Sequence, residues 1–173
     1  MSHAPETETL AKVYIVMGVS GCGKTTIGQA LAEKLKAPFY DGDDFHPPAN
    51  VEKMASGTPL NDDDRAPWLA RLHDLLVDHV LQGETAVLAC SALKKKYRTQ
   101  LRGGYDSIQF IYLDGSFDLI WQRMSQRKDH YMKAEMLQSQ FDTLERPSAI
   151  DAFTISIDQP VAHILDQILR NIP

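Results

Sequence analysis

Apolar residues come in short blocks along this chain, and the blocks alternate between two periods. Val13-Tyr-Ile-Val-Met17 is an unbroken apolar run of strand length, as expected of a strand covered on both faces. Over residues 26–36, Ile27, Leu31 and Leu35 recur at i, i+4, i+8, which predicts a helix. A short strand follows over 38–41, a loop over 42–48, a short helix over 49–56 stopped by Gly57, and a polar turn over 58–63. Asp64 and Pro67 open a longer helix whose Leu69, Leu72, Leu76 and Val80 form one stripe and which Gly83 ends. The pattern continues with a strand over 85–90, a basic helix over 93–102 ended by Gly103-Gly104, and a strand over 108–113. A helix over 116–126 comes next, and residues 128–147 are polar, helical in part, with little core-facing periodicity. A last strand spans 153–158 and a last helix 160–170, with Pro160 suited to its first turn. About five strands alternating with helices predict βαβ units, hence a three-layer α/β/α fold around a central parallel sheet.

The chain has 173 residues, enough for one well-cored domain and too few for two. We expect a loose polar tail over 1–11 and a single domain over 12–173. The net charge is −5 with no long basic run, which argues against a nucleic-acid partner. No apolar run approaches the ~20 residues that cross a bilayer, and the N-terminus lacks the basic-then-apolar order of a signal peptide. Two cysteines, Cys22 and Cys90, have no metal-like spacing and read as reduced thiols of a cytoplasmic protein. The six histidines show no paired-ligand motif, so structural zinc is not expected.

Chemistry enters at Gly18-Val-Ser-Gly-Cys-Gly-Lys24-Thr25, which fits G-x-x-x-x-G-K-[ST] between a predicted strand and a predicted helix. Glycines let the backbone approach phosphate oxygens, and N–H groups with the positive helix end point at the anion. The motif assigns Gly18, Val19, Ser20, Gly21, Cys22, Gly23, Lys24, Thr25 and Thr26 to the phosphates of a bound ATP or GTP. Lys24 serves the β- and γ-phosphates, and the Thr25 hydroxyl serves Mg²⁺.

The second strand runs into Asp41-Gly-Asp-Asp-Phe-His-Pro47. Ligands of open α/β sheets bind at the carboxyl ends of strands, so these acids face the same crevice as the phosphate loop. The third strand ends Ala89-Cys90-Ser91 without an acid, which makes Asp41 the candidate for the Mg²⁺ shell and Asp43 the one for the acceptor hydroxyl. An acidic turn favoured by Asp and Gly is the plainer alternative. Lys94 and Arg98, four apart on the basic helix, are expected to face an anion, since cations at a helix start oppose its dipole. Lys95, Lys96 and Arg102 are as well explained by a solvated face. Arg123, Arg127, Lys128 and Lys133 flank the polar segment 124–147, expected to be a mobile lid whose arginine meets the transferred phosphate. An exposed helix pair would also fit. His46 is read as a substrate-hydroxyl contact or a loop anchor.

These stretches, with Asn50-Val-Glu-Lys-Met-Ala-Ser-Gly57, Pro59-Leu-Asn-Asp-Asp-Asp-Arg65, Pro67-Trp68 and Cys90-Ser-Ala-Leu-Lys94, together resemble the gluconokinases. The resemblance runs from about residue 12 to the C-terminus. It implies a P-loop kinase related to the shikimate and nucleoside monophosphate kinases, with a substrate-binding helical insert over about 44–82 and a lid over about 124–147. It also implies ATP with Mg²⁺ as cofactors, D-gluconate as substrate, 6-phospho-D-gluconate as product and a homodimer. By the same resemblance Lys24, Asp43 and Arg127 are catalytic, and Thr25 and Asp41 serve the metal. Arg123, Gln159 and Pro160 lie at the adenine, and Asp43, His46, Lys53, Arg65, Lys94 and Arg98 lie on the substrate side. Arg65 is the carboxylate clamp, a task the guanidinium fork suits better than an ammonium. A kinase for another polyol acid and a non-catalytic nucleotide sensor stay open as rivals. The intact Asp41, Asp43 and arginine set speaks against the sensor.

Overall fold

The computed structural model describes residues 12–126 and 134–172. Its five strands are β1 (Val13–Met17), β2 (Phe39–Asp41), β3 (Ala86–Ala89), β4 (Ile108–Asp114) and β5 (Ala152–Ser156). They form one parallel sheet in the order β2-β3-β1-β4-β5. The helices are α1 (Lys24–Leu35), α2 (Pro48–Ala55), α3 (Asp62–Gln82), α4 (Lys95–Arg102), α5 (Phe117–Ser125), α6 (Ala134–Thr143) and α7 (Val161–Asn171).

β1 explains its own composition. Val13, Ile15 and Met17 pack on one face against Leu69, Leu72 and Leu76 of α3 and Leu101 of α4. Tyr14 and Val16 pack on the other against Ile27 and Leu31 of α1 and Ile164 and Ile168 of α7. A strand covered twice has no solvent face, so its apolar run is unbroken. The expected three-layer α/β/α arrangement is what the structure shows.

β1 is the middle strand, with β3 on one side and β4 on the other. The chain fills the β3–β2 side first and then crosses to β4 and β5, so the order reverses at β1. The crevice for a ligand therefore opens at the carboxyl end of β1. The register sets Asp41 level with Ala89 and Ala89 level with Val16, which brings the end of β2 to that crevice.

Four local readings change. Residues 42–45 are a 3₁₀ turn instead of a loop, because the Asp41 carboxylate accepts the Asp43 N–H at 3.0 Å and starts the coil. α3 begins at Asp62, not Asp64. The Asn61 side chain accepts from Asp64 N at 2.8 Å while the Asp64 carboxylate accepts from Asn61 N at 2.9 Å. This reciprocal cap starts the helix early and puts Pro67 inside it. The polar segment has a core face after all: on α6, Leu137 is fully buried and Phe141 packs 5.8 Å from the Phe117 ring. Pro160 is the cap residue of α7 with extended backbone, one position before the first turn.

Candidate active site

The loop between β1 and α1 wraps a cavity of about 190 Å³ whose walls include Ser20, Gly21, Gly23, Lys24, Thr25, Thr26, Asp41, Asp43, Cys90 and Ser91. Phosphate-loop residues and both acids of the second strand thus share one chamber. Gly21 has φ +82°, and a Cβ there would lie 2.5 Å from the Met124 sulfur, so only glycine brings the loop this close to α5. Gly42 is under a similar constraint: a Cβ would lie 2.9 Å from the Ala89 carbonyl, and the close approach seats the acidic turn against β3. Lys24 Nζ donates to the Gly18 and Val19 carbonyls at 3.0 and 3.1 Å, which holds the ammonium over the loop.

Some N–H groups of the loop have partners within the protein. The Gly18 N–H donates to the Ser91 carbonyl and the Cys22 N–H to the Val19 carbonyl, both at 3.3 Å. Val19 and Cys22 are buried. The Gly18 and Cys22 N–H groups are thus engaged within the protein, and the Val19 and Cys22 side chains pack into the core. Burial also raises the Cys22 thiol pKa and pushes that of Cys90 up to about 12, so both stay protonated.

On the far side of the loop, Gly21, Gly23, Thr26, Arg123, Gln159 and Pro160 line a second cleft of about 310 Å³, with Ile27, Ile157 and Ile164 as apolar walls. The Arg123 guanidinium donates to the Ile157 carbonyl at 2.8 Å, which fixes it beside the loop that holds Gln159. The residues expected at the adenine are thus together. Arg127, Lys128 and Lys133 lie outside the described residues.

Asp43 projects from the 3₁₀ turn into the open chamber, its side chain 86% exposed. Crowding by the chamber walls, first, and the Asp41 charge, second, raise its pKa, and water in the open chamber softens that shift. His46 stacks on Trp68 with ring centroids 4.2 Å apart, and its Nε2 lies 3.9 Å from Asp43 Oδ1. Trp68 is itself held by an Nε1–H to the Gly42 carbonyl at 2.7 Å. Burial lowers the His46 pKa, so the ring is neutral near pH 7.

Arg65 reaches toward this side from the first turns of α3. Its Nη1 donates to the Tyr97 hydroxyl at 3.2 Å, and the guanidinium sits over the Tyr97 ring at 5.4 Å. Tyr97 in turn donates to Asp62 at 2.6 Å, and Lys96 also bonds Asp62. Lys53 is engaged by Asp64 at 2.7 Å. Lys94 is the cap residue of α4 and extends its ammonium over the Tyr97 ring at 5.7 Å.

Arg98 does not face the chamber. It is 6% exposed, and its two terminal nitrogens donate to the carbonyls of Ala92, Leu93 and Glu145. Helix α4 starts at Lys95, so Lys94 and Arg98 do not share a helix face as the spacing predicts. The anion that draws Lys96 to this helix start is Asp62 of the protein itself.

Sequence reasoning missed two residues. Asn50 is 4% exposed and bonds both His46 and the backbone of Asp64. Gln140 of α6 accepts the Ser20 N–H at 2.7 Å and donates to the Ser20 hydroxyl at 2.8 Å. A polar residue four positions after His46 is a faint signal for the first; the second has none, because 120 residues separate the partners.

The family model of shikimate kinase matches residues 20–173. The chain is 47% identical over 155 residues to the thermoresistant gluconokinase of Escherichia coli (strain K12), covering 88% of this chain and 89% of that one. The chain belongs to the gluconokinases of the shikimate kinase family. The gluconokinase of Gluconobacter oxydans (strain 621H) is 44% identical over 170 residues, covering 98% and 96% of the two chains. The crystal structure of a gluconokinase from Sinorhizobium meliloti 1021 superposes with a TM-score of 0.83 at 40% identity, covering 93% and 91%. The protein is thus a kinase, and the two cavities of this kinase meet across its phosphate loop. Among the described residues no helix is long and apolar enough to cross a membrane.

Proposed function

We propose that this kinase transfers the γ-phosphoryl group of ATP to the terminal hydroxyl of D-gluconate, giving 6-phospho-D-gluconate. One observation carries the reading at the level of the site: the phosphate loop and Asp43 wall the same 190 Å³ chamber. A phosphate donor and a hydroxyl acceptor held there are in reach of each other. The 44–47% identity to the two gluconokinases named above supports gluconate among the sugar acids.

In this reading the N–H groups of Gly21, Gly23, Lys24, Thr25 and Thr26 hold phosphate oxygens at the start of α1. Lys24 leaves its two carbonyls and follows the charge that builds on the transferred group. The base of the nucleotide lies in the cleft between Arg123 and the Gln159–Pro160 loop. Thr25 and Asp41 offer a hydroxyl and a carboxylate oxygen on one wall of the chamber, a hard donor set that fits Mg²⁺. That ion, when bound, supplies charge neutralisation between the phosphates. Asp43 orients the acceptor hydroxyl and accepts its proton late, since a carboxylate is a weak base for an alcohol. Arg65 binds the gluconate carboxylate. Residues 44–82 act as the acceptor-side insert and 124–147 as the lid, with Arg127 meeting the transferred phosphate. A cytoplasmic homodimer completes the proposal.

A coupled ADP-release assay over a panel of sugar acids and neutral polyols tests it. Turnover with gluconate well above the rest is expected. Preference for another acid would move the substrate, and ATP binding without ADP release on any acceptor would favour a nucleotide sensor.

A further inference from the structure

Asp43 walls the chamber, His46 Nε2 lies 3.9 Å from its carboxylate, and either residue type can take a proton. Donor and acceptor counting decides between them. The Asn50 amide nitrogen lies 2.9 Å from the Asp64 main-chain oxygen and 3.2 Å from His46 Nδ1. A main-chain carbonyl only accepts, so the atom beside it is the NH₂ group, not the amide oxygen. One of its two hydrogens goes to that carbonyl and the other points at Nδ1. An N–H cannot point at another N–H, so Nδ1 presents its lone pair and the proton of the neutral ring sits on Nε2.

The surroundings allow no other arrangement of the ring. Trp68 stacks on it at 4.2 Å, and Asn50 and the His46 side chain are each only 4% exposed. A ring flip would take Nδ1 away from the buried amide and leave that donor unpaired. The other groups that act on the ring are Asp43 and Arg65, and neither bonds Nδ1.

We propose that Asn50 is a positioning residue that locks His46 as the Nε2–H tautomer, making His46 a hydrogen-bond donor to the acceptor hydroxyl and leaving Asp43 as the group that receives its proton. The step rests on the kinase reading above. His46 Nε2 and Asp43 Oδ1 are 3.9 Å apart, a gap that one hydroxyl oxygen bridges by accepting from Nε2–H and donating to the carboxylate. The hydroxyl lone pair left over faces the phosphoryl group, and the hydroxyl proton ends on Asp43. The device also excludes a second base: an imidazole whose Nε2 carries hydrogen and whose Nδ1 is engaged takes no proton from a substrate.

The test begins on the full-length wild-type chain labelled with ¹⁵N-histidine, the His46 signals being assigned by their loss in His46→Gln. Long-range ¹H–¹⁵N spectra at neutral pH are expected to show a pyridine-type Nδ1 and a pyrrole-type Nε2. A proton on Nδ1, or an imidazolium, overturns the proposal without any variant having to fold. In Asn50→Asp, whose carboxylate accepts where the amide donated, the proton is expected on Nδ1; an unchanged tautomer overturns the role of Asn50. His46→Gln keeps an N–H near the place of Nε2 and is expected to retain at least about tenfold more kcat than His46→Leu. Equal losses in the two overturn the donor role, because a lost base is not replaced by an amide. A wild-type Nε2–H spectrum with no turnover of any sugar acid would uphold the tautomer assignment and sink the kinase reading on which its use rests.

Discussion

The two walls of the chamber are made in different ways. The phosphate wall is main chain: one stretch from Gly18 to Thr26 folds on itself and starts α1, with side chains of Val19 and Cys22 turned into the core. The proposed acceptor side is made of side chains. Asp43 lines the chamber from the 3₁₀ turn, and beside it His46, which follows that turn, and Asn50, Asp64, Arg65, Trp68 and Tyr97 of α2, α3 and α4 are joined by hydrogen bonds and stacking. A wall of amides binds what every phosphate shares. A wall of side chains held by long-range contacts can be matched to one acceptor. On the proposed function, general affinity for the donor and selectivity for the acceptor would sit in separate parts of the fold.

Substitutions on the two sides should break different quantities. Lys24→Ala removes the ammonium held over the phosphate loop, and kcat should fall below about one part in 10³ with the melting temperature nearly unchanged. Steady-state turnover close to wild type would contradict that assignment. Across the chamber, Asp43→Asn should lower kcat by at least about 10²-fold with little change in ATP binding measured by titration. Loss of ATP affinity with kcat kept would mean that Asp41 and Asp43 exchange roles.

Arg65→Ala should raise KM for gluconate about ten- to hundred-fold and leave KM for ATP alone, as for loss of a charge-assisted contact of roughly 1.5–3 kcal/mol. Lysine should rescue it only partly. An unchanged gluconate KM would move the carboxylate to Lys94, whose ammonium lies over the same tyrosine ring. Arg98 sharpens the comparison from the other direction. Its guanidinium is spent on three carbonyls, so Arg98→Met should cost about 1–2 kcal/mol of stability in urea unfolding and leave the kinetics of the folded enzyme in place. A selective rise in gluconate KM would restore it to the site.

The smallest effect is on pH. Hydrogen bonds from Lys96 and Tyr97 hold the Asp62 pKa down to about 2, and Lys53 with the Asn61 N–H holds Asp64 below the usual carboxylate value. A depressed folded-state pKa stabilises above the unfolded value of ~4 and loses that contribution as pH falls toward the folded one. Both carboxylates are solvated, so the effect is modest. Melting temperatures between about pH 5 and pH 2.5 should fall less steeply in the Asp62→Asn, Asp64→Asn double variant than in wild type. Parallel curves would remove these bonds from the acid lability of the acceptor wall.

What the sequence determined by itself is what short-range chemistry writes in contiguous residues. The apolar run 13–17, the i, i+4 stripes of α1 and α3, the glycine motif and the acidic turn each carry their own cause, so the sheet, the helices and the phosphate wall were legible. The resemblance added the carboxylate clamp at Arg65. Misreadings fell where a side chain had several partners to choose from. Arg98 reads as an anion binder, yet the strained corner at Ala92, with φ +46°, leaves carbonyls turned inward, and they capture it. Asn61 and Asp64 start α3 two residues early by capping each other. Gln140 meets Ser20, and Asn50 meets His46 beneath Trp68, only after the layers close. A buried polar group must take whatever partner packing brings within 3 Å or so, and that partner is set by the arrangement of the layers and not by the neighbours along the chain.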